Sequence, residues 1–461
     1  MTKKLWGGGY RQRTSQTIER YTASVAIDHR LAVEDLEGSI AHAKMLGRQR
    51  IIPPTEAARI IKGLESLKKD WEAGKVGFHP LAEDIHSVLH AALERKIGAA
   101  AQYLHTARSR NDQVITDTRL FSVRAARRIA GAIRALQSSI IQAASKHRML
   151  VVPGYTHRQH AQPVLWAHWL LSYCEALERD HQRLMAAAER LNELPLGSGA
   201  LTGTSLPIDR LVVAKTLGMS RVAANSMDAV SDRDGVLELL AVLTILGIHL
   251  SRIAEDLMYW VSPEVGFLAL EEWLCTGSSM MPQKQNPDFL ELTRANAGKL
   301  IGVLTGFLAV CKSLPSGYNR DLQVDKEHLL AAVDTTSQML DVLIEGFHGL
   351  IIRPDAIQQA LRNEALYATD LAEYLVEKGV PFAQAHHAVG ELMGYCRQHQ
   401  QQPSELTVAT LRRFSPHFGS DVHRLFDPQV SVSRKQSLGS TNPRLVARQL
   451  AHWQRRVSRH A

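Results

Sequence analysis

The sequence predicts an all-α fold, a three-domain elongated chain built around a central bundle of long helices. Three observations predict it. Apolar residues recur every three or four positions through several stretches much longer than an ordinary helix. Period-two alternation of the strand kind is scarce. The helical stretches are joined by polar breaks carrying Gly and Pro, which end helices by freeing or fixing the backbone. Helices with one apolar stripe bury it against each other, so the pattern reads as a bundle.

The elements follow in chain order. Residues 1–107 read as an N-terminal helical domain of shorter helices, with loops around Pro53-Pro54 and His79-Pro80. Residues 108–360 read as the long-helix core, buried within a bundle or between subunits. Its first helix starts near Ser109, with Phe121, Ala125, Ile129, Ala132, Leu136 and Ile140 in register. A second starts at Pro163, with Trp166, Leu170, Tyr173, Leu177, Leu184, Ala188 and Leu191 on one stripe. A third starts at Ser231, where Ser231 and Asp234 match a capping box. Residues 236–260 of it are apolar on nearly every face, which demands partners for burial. A fourth runs from Pro287 to about Lys312. Residues 361–461 read as a small C-terminal helical domain, with breaks at Gly379-Val380-Pro381 and Gln402-Pro403.

Composition narrows the function classes. The chain has 461 residues, 45% hydrophobic and 22% charged, values of an ordinary globular protein. The longest apolar runs, 239–251 and 300–311, are too short for a membrane span and read as buried helices. Residues 1–11 lack the apolar core of a signal peptide. Cys174, Cys275, Cys311 and Cys396 form no metal or redox pair, so reduced thiols and a cytoplasmic setting are expected. The net charge of +8 favours acidic partners. Arg124, Arg127, Arg128 and Arg134, and again Arg455, Arg456 and Arg459, fall on helical patterns as solvated faces. A small polyanionic substrate and a nucleic acid both fit this charge, and the scattered basic residues argue against the second.

Four polar clusters interrupt the apolar patterns. The loop 276–288 sets Ser278, Ser279 and Lys284 between Gly277, Pro282 and Pro287, where no regular structure can form. Asn286 suits an N-cap, Pro287 the first helical position and Asp288 the first turn, so a helix N-terminus and Lys284 make a place for an anion. The segment 106–112 crowds Arg108, Arg110 and Asn111 onto a helix start, which suits bidentate carboxylate binding or simple capping by Ser109 or Asn111. The segment 154–160 offers His157 in a Gly- and Pro-flanked loop, where an imidazole can transfer protons near neutral pH. Capping explains the acidic cluster 228–234. Gly197-Ser198-Gly199 with Gly203 misses the dinucleotide spacing by one residue. His86 and His90 lie four apart but have no evident third metal ligand.

The chain resembles the argininosuccinate lyase family of the fumarase/aspartase superfamily over nearly its whole length. The resemblance rests on Leu5-Trp6-Gly7-Gly8, Glu83-Asp84-Ile85-His86 and Ser109-Arg110-Asn111-Asp112-Gln113-Val114. It continues through Gly154-Tyr155-Thr156-His157, Ala161-Gln162-Pro163, Gly197-Ser198-Gly199-Ala200-Leu201, the loop 276–288 and Tyr318-Asn319-Arg320-Asp321-Leu322-Gln323. The Gly-Ser-Ser-x-Met-Pro-x-Lys-x-Asn-Pro pattern specifies the superfamily. The Ser-Arg-Asn-Asp-Gln-Val run and Gln283 specify this member.

The resemblance implies a fumarase/aspartase-like fold and cleavage of argininosuccinate to arginine and fumarate, a step of arginine biosynthesis, with no cofactor or metal. Ser278 is implied as the base and His157 as the acid. Lys284 would stabilise the aci-carboxylate, and Glu291 would orient the histidine. Ser24, Arg110, Asn111, Thr156, Asn286, Tyr318, Gln323 and Lys326 are implied to bind substrate. Each site would be shared among subunits of a homotetramer. Departures from the family pattern are Gly9, Ala107, Gln285, Ala383 and Ser440, none at a catalytic position. The rival readings are another lyase of the superfamily, a catalytically silent crystallin-like homologue, and a nucleic-acid-binding helical protein.

Overall fold

The computed structural model describes residues 14–80 and 82–458. The Leu5-Trp6-Gly7-Gly8 motif and Gly9 lie outside the described residues. Helices make up most of the chain, joined by three two-stranded sheets. Two compact units are formed. One comprises Met1–Ala130, Asp180–Gly247 and Gly298–Ser337, the other Gly131–Arg179, Ile248–Ala297 and Gln338–Ala461. These units gather non-consecutive stretches. The division into three consecutive domains concerns chain order and is carried forward as a proposal.

In the first unit, α1 (Ala32–Arg48), α2 (Pro54–Glu72) and α3 (Ile85–Ile97) pack around Leu36, Leu46, Ile60, Leu64, Leu89 and Leu93. Each such buried leucine or isoleucine contributes roughly 1.5–3 kcal/mol over an exposed one. Pro54 occupies the first turn of α2, where a missing N–H costs nothing. Gly63 lets α2 and α3 approach: a Cβ there would lie 2.7 Å from Ile97.

Five long helices each give one stretch to each unit. They are α4 (Arg110–Lys146), α5 (Trp166–Leu191), α6 (Asp234–Val261), α7 (Asp288–Cys311) and α8 (Asp325–His348). The apolar run 239–251 is therefore only part of a 28-residue helix. By length and composition α6 could cross a membrane, although 56% of its most apolar window is already buried. Predicted starts are corrected at Ser231, Pro287 and Pro163. Ser231 ends the short helix Ser226–Ser231, and Asp232 caps α6 instead, its carboxylate accepting from the Asp234 N–H at 2.7 Å. Helix α7 starts at Asp288, with Pro287 as the flanking residue whose carbonyl accepts the first helical bonds.

In the second unit, Leu371, Leu375, Leu392, Leu411, Phe418 and Leu425 form a core among the C-terminal helices. A separate aromatic layer joins α5 to α6, with Trp169 stacked on Trp260 at 4.3 Å between centroids. The predicted loop before α5 is a hairpin of β1 (Val151–Thr156) and β2 (Gln159–Leu165). Pro163, predicted to open a helix, pairs with Pro153 across this hairpin. A two-stranded ribbon has only edges, so prolines without N–H groups fit it.

Candidate active site

The first unit holds Ser24, Arg110, Asn111, Tyr318, Gln323 and Lys326. Arg110 and Asn111 open α4. The Ser109 Oγ accepts from the Asn111 N–H at 3.2 Å, and Asp112 Oδ1 accepts the Ser109 N–H at 3.0 Å, a capping-box arrangement. The second Asp112 oxygen accepts from the Gly197 and Gly199 N–H groups at 2.9 and 2.8 Å. The glycine motif that narrowly misses dinucleotide spacing is thus a cradle for one carboxylate. At Gly199 the backbone has φ +61, and a Cβ would lie 2.7 Å from the Gly203 oxygen. Burial pushes the Asp112 carboxyl up to about 6, against its three amide donors.

Asp84 caps α3, accepting the Ser87 N–H at 2.7 Å, and grips Arg110 Nε at 3.0 Å. Burial opposes its ionisation most strongly, but the Arg110 guanidinium, His86 and the hydrogen bonds from Ser87 together outweigh it and hold the carboxyl below its usual range. Asp28 accepts the Ile85 N–H at 3.0 Å and the Ser24 hydroxyl at 2.6 Å, which sets Ser24 beside the same helix start. Asn111 donates to the Ala200 carbonyl at 3.2 Å. Ala107, where the family commonly has Gly, adopts φ 56, in the left-handed region.

His86 and His90 do not face one another's partners. His86 turns to Asp35 and Asp117, whose carboxylate oxygens lie within 4.8 Å of its Nδ1, whereas His90 lies against His105 with centroids 4.7 Å apart. The two carboxylates are the partners that sequence spacing does not reveal. A buried guanidinium, Arg108, faces both and supplies positive charge there.

Tyr318, Gln323 and Lys326 form one chain of contacts. Gln323 donates to the Tyr318 oxygen at 2.6 Å and accepts from Lys326 Nζ at 2.6 Å. Lys326 is buried, and its ammonium also donates to Asp325 at 3.1 Å, leaving one N–H. Asp325 in turn receives Arg233 Nε at 2.6 Å. Burial pushes the Tyr318 phenol up.

The second unit holds Thr156, His157, Ser278, Lys284, Asn286 and Glu291. Thr156 ends β1, and His157 is at the hairpin tip with Arg158, at φ 54 and 58. Two consecutive positive φ values are the requirement of a two-residue hairpin turn normally met by Asn-Gly, so the tip holds strain in both residues. Arg158 ion-pairs with Glu255 on α6 and lies over the Tyr259 ring at 5.2 Å. The other Glu255 oxygen receives Arg294 of α7 at 2.5 Å, so one carboxylate ties the hairpin tip to the helix that carries Glu291. Beneath the tip lies a cavity of about 220 Å³ walled by Tyr155, Trp169, Tyr259 and Trp260.

The loop 276–288 is closed at its ends. Thr276 and Asn286 exchange both backbone bonds, at 3.0 and 2.9 Å, and the Thr276 hydroxyl donates to Asp288. Asn286, expected as the cap of α7, instead closes this bridge, and its amide reaches toward the Gly277 carbonyl at 3.5 Å. Within the loop, Ser278 Oγ accepts the N–H groups of Met280 and Met281 at 3.3 and 3.1 Å. Lys284 and Glu291 are exposed, as is His157. Among the described residues no hydrogen bond or ion pair joins His157 to Glu291 or to Ser278. Sequence reasoning assigned no role to Asp84, Gln113 or Glu255. The Asp84-x-x-Ser87 cap spacing and the one-turn separation of Gln113 from Arg110 were available signals for the first two. For Glu255, nearly a hundred residues from Arg158, none was.

The chain is similar to known proteins along almost its entire length. The family described as Lyase matches residues 8–302, and that described as Argininosuccinate lyase C-terminal matches residues 365–433. The argininosuccinate lyase of Symbiobacterium thermophilum is 45% identical over 448 residues, covering 97% of this chain and 97% of that protein. The chloroplastic argininosuccinate lyase of Arabidopsis thaliana is 44% identical over 450 residues, covering 98% and 87%. Among solved structures, EDDS lyase in complex with formate matches with a TM-score of 0.82 at 24% identity, covering 97% of this chain and 90% of that one. That likeness speaks to the all-α fold alone.

Proposed function

The chain belongs to the argininosuccinate lyase family of the fumarase/aspartase superfamily, and we propose from this which of its residues carry the reaction. The activity is that of a C–N lyase, which splits argininosuccinate into arginine and fumarate. The reaction removes a proton from the carbon beside a carboxylate and then breaks the bond to the guanidino nitrogen. It needs a base, a stabiliser for the aci-carboxylate dianion and an acid for the leaving nitrogen.

Ser278 is the base. A serine hydroxyl serves only if its oxyanion is stabilised, and the observation that carries the assignment is the pair of amide N–H groups on its oxygen. Oriented backbone donors of this kind contribute roughly 3–4 kcal/mol each to an oxyanion in a water-excluded site. Lys284, in the same loop, neutralises the aci-carboxylate. His157 protonates the departing nitrogen, and Glu291 orients it. Arg110, Asn111, Ser24, Thr156 and Asn286 receive the carboxylate groups, with Lys326 contributing its remaining N–H. Tyr318 and Gln323 meet the arginine end.

No cofactor is required by this scheme. It operates in the cytoplasm, in arginine biosynthesis, in a chain of three consecutive domains. A homotetramer with sites shared between subunits accounts for the exposure of His157 and Glu291. An exposed apolar face supports it: Ile301 and Leu308, 48% and 49% exposed, lie seven residues apart on one face of α7.

The test is Ser278→Ala. Fumarate release, followed by ultraviolet absorbance, is expected to fall by roughly a thousandfold or more. Argininosuccinate binding, measured separately by calorimetry, is expected to stay within a few-fold. Turnover near that of the unaltered enzyme would remove Ser278 from the role.

A further inference from the structure

Arg110 is held on three sides. Its Nε donates to Asp84 at 3.0 Å, one terminal nitrogen to Gln113 Oε1 at 2.8 Å, and the other to Ser87 Oγ at 3.3 Å. A guanidinium carries five N–H groups in a fixed fork. Two remain, one on each terminal nitrogen, available to a carboxylate.

Gln113 lies one turn beyond Arg110 on α4 and is 4% exposed. Its oxygen faces Arg110, so its amide nitrogen must face the other way, where it donates to Asp35 Oδ1 at 2.5 Å. The reversed amide would set NH₂ against the guanidinium and oxygen against the carboxylate, so only one orientation is tolerated. Asp35 cannot give way. It is 3% exposed, and its other oxygen lies 3.3 Å from His86 Nδ1, which lies 3.6 Å from Asp117 Oδ2. Asp35, His86 and Asp117 come from α1, α3 and α4, so the orientation of one amide is set where three helices meet.

We propose that Gln113 is a positioning residue for substrate binding: its amide, oriented by buried Asp35, fixes the Arg110 fork so that the two free N–H groups are presented to a substrate carboxylate. This rests on the reading of Arg110 as a carboxylate-binding residue. Without the amide, Asp84 and Ser87 still anchor the side chain but one terminal nitrogen loses its partner, and binding has to order the fork. The signature is a loss of affinity, not of chemistry.

Steady-state kinetics with argininosuccinate on Gln113→Leu, Gln113→Glu, Arg110→Ala and the Arg110→Ala/Gln113→Leu pair test this. For Gln113→Leu, KM is expected to rise roughly tenfold or more while kcat stays within about threefold. In the Arg110→Ala background the same change is expected to add nothing further, because the group it positions is gone. Gln113→Glu keeps the shape but sets a carboxylate on Arg110 in competition with the substrate, and its KM is also expected to rise; it decides the matter if Gln113→Leu is insoluble. A purely structural Gln113 would lower the thermal midpoint and leave KM of the folded enzyme unchanged, which overturns the proposal. Penalties in KM that add in the double variant overturn it equally. Unchanged KM in Arg110→Ala would instead sink the reading of Arg110 itself, whereas a raised KM there with normal Gln113 variants sinks the positioning role alone.

Discussion

Acid should destabilise this protein through His42, and the size of the effect can be worked from its surroundings. His42 is 1% exposed, with Nε2 2.8 Å from the Thr106 carbonyl. Burial, helped by the nearby Arg108 charge, lowers its pKa from 6.5 to about 3. The imidazole is therefore neutral in the folded protein and donates to Thr106. In the unfolded chain it takes a proton below its ordinary value. Between those two values the unfolded state binds more protons than the folded one, so stability falls as pH falls. The contribution is fully present above 6.5 and lost progressively toward 3. Moving from about pH 7.5 to about pH 5 removes about 2 kcal/mol, a substantial part of a typical 5–15 kcal/mol. His105, lowered to about 2 by burial, acts in the same direction.

The perturbation is His42→Gln, whose Nε2 can keep the bond to Thr106 but does not titrate. Urea unfolding at the two pH values, at one protein concentration, compares the variant with the unaltered protein. The variant is expected to lose about 2 kcal/mol less on acidification. Equal pH dependence of unfolding in the two proteins would refute the reasoning.

Ala107→Gly should raise the thermal midpoint, since left-handed backbone costs a Cβ-bearing residue roughly 1–2 kcal/mol and the glycine's extra freedom when unfolded offsets only part of it; an unchanged or lower midpoint in calorimetry would show that the φ of 56 is not strained. Glu255→Gln should release Arg158 and Arg294 together. Exposed ion pairs contribute about 0–1 kcal/mol, so the melting curve should barely move. The hairpin tip should loosen, however, lowering kcat roughly tenfold with a smaller change in KM, as expected of a residue that positions His157. A variant with normal kcat would dissociate the clamp from catalysis.

The sequence is most legible where structure is local. The stripe Phe121, Ala125, Ile129, Leu136 and Ile140 places α4, because a helix facing a core must repeat every three or four residues. The loop 276–288 is legible because Gly277, Pro282 and Pro287 forbid regular structure. The hairpin 151–165 is not, because His157-Arg158 at its tip is not a recognised turn dipeptide and its prolines argue against strands. The same limit hides the holders of the candidate site. Asp112 meets Gly197 and Gly199 across more than eighty residues, and Asp35 meets His86 and Asp117 from separate helices. Charge compensation of this kind leaves no periodicity behind, so the candidate residues could be named while the contacts that orient them could not.

One chain leaves its most reactive groups in water. Lys284, His157 and Glu291 are exposed, and Ser278 is only partly covered. Two unit charges 4 Å apart attract by about 1 kcal/mol in water but about 4 kcal/mol at the effective dielectric near a protein surface. A lysine in water thus stabilises a dianion several-fold less in free energy than one in a closed site, and a serine in water is not a base. The ends of the loop 276–288 are pinned by the Thr276–Asn286 bridge and the start of α7, while Met280 and Met281 at its crest are 87% and 40% exposed. Two exposed methionines at the tip of a polar loop are poorly placed in water and well placed against an apolar partner surface. In the proposed scheme, a partner surface that covered the crest would also dry Ser278 and Lys284 a few residues away. Met280→Lys should therefore lower kcat far more than it alters the folding of the isolated chain.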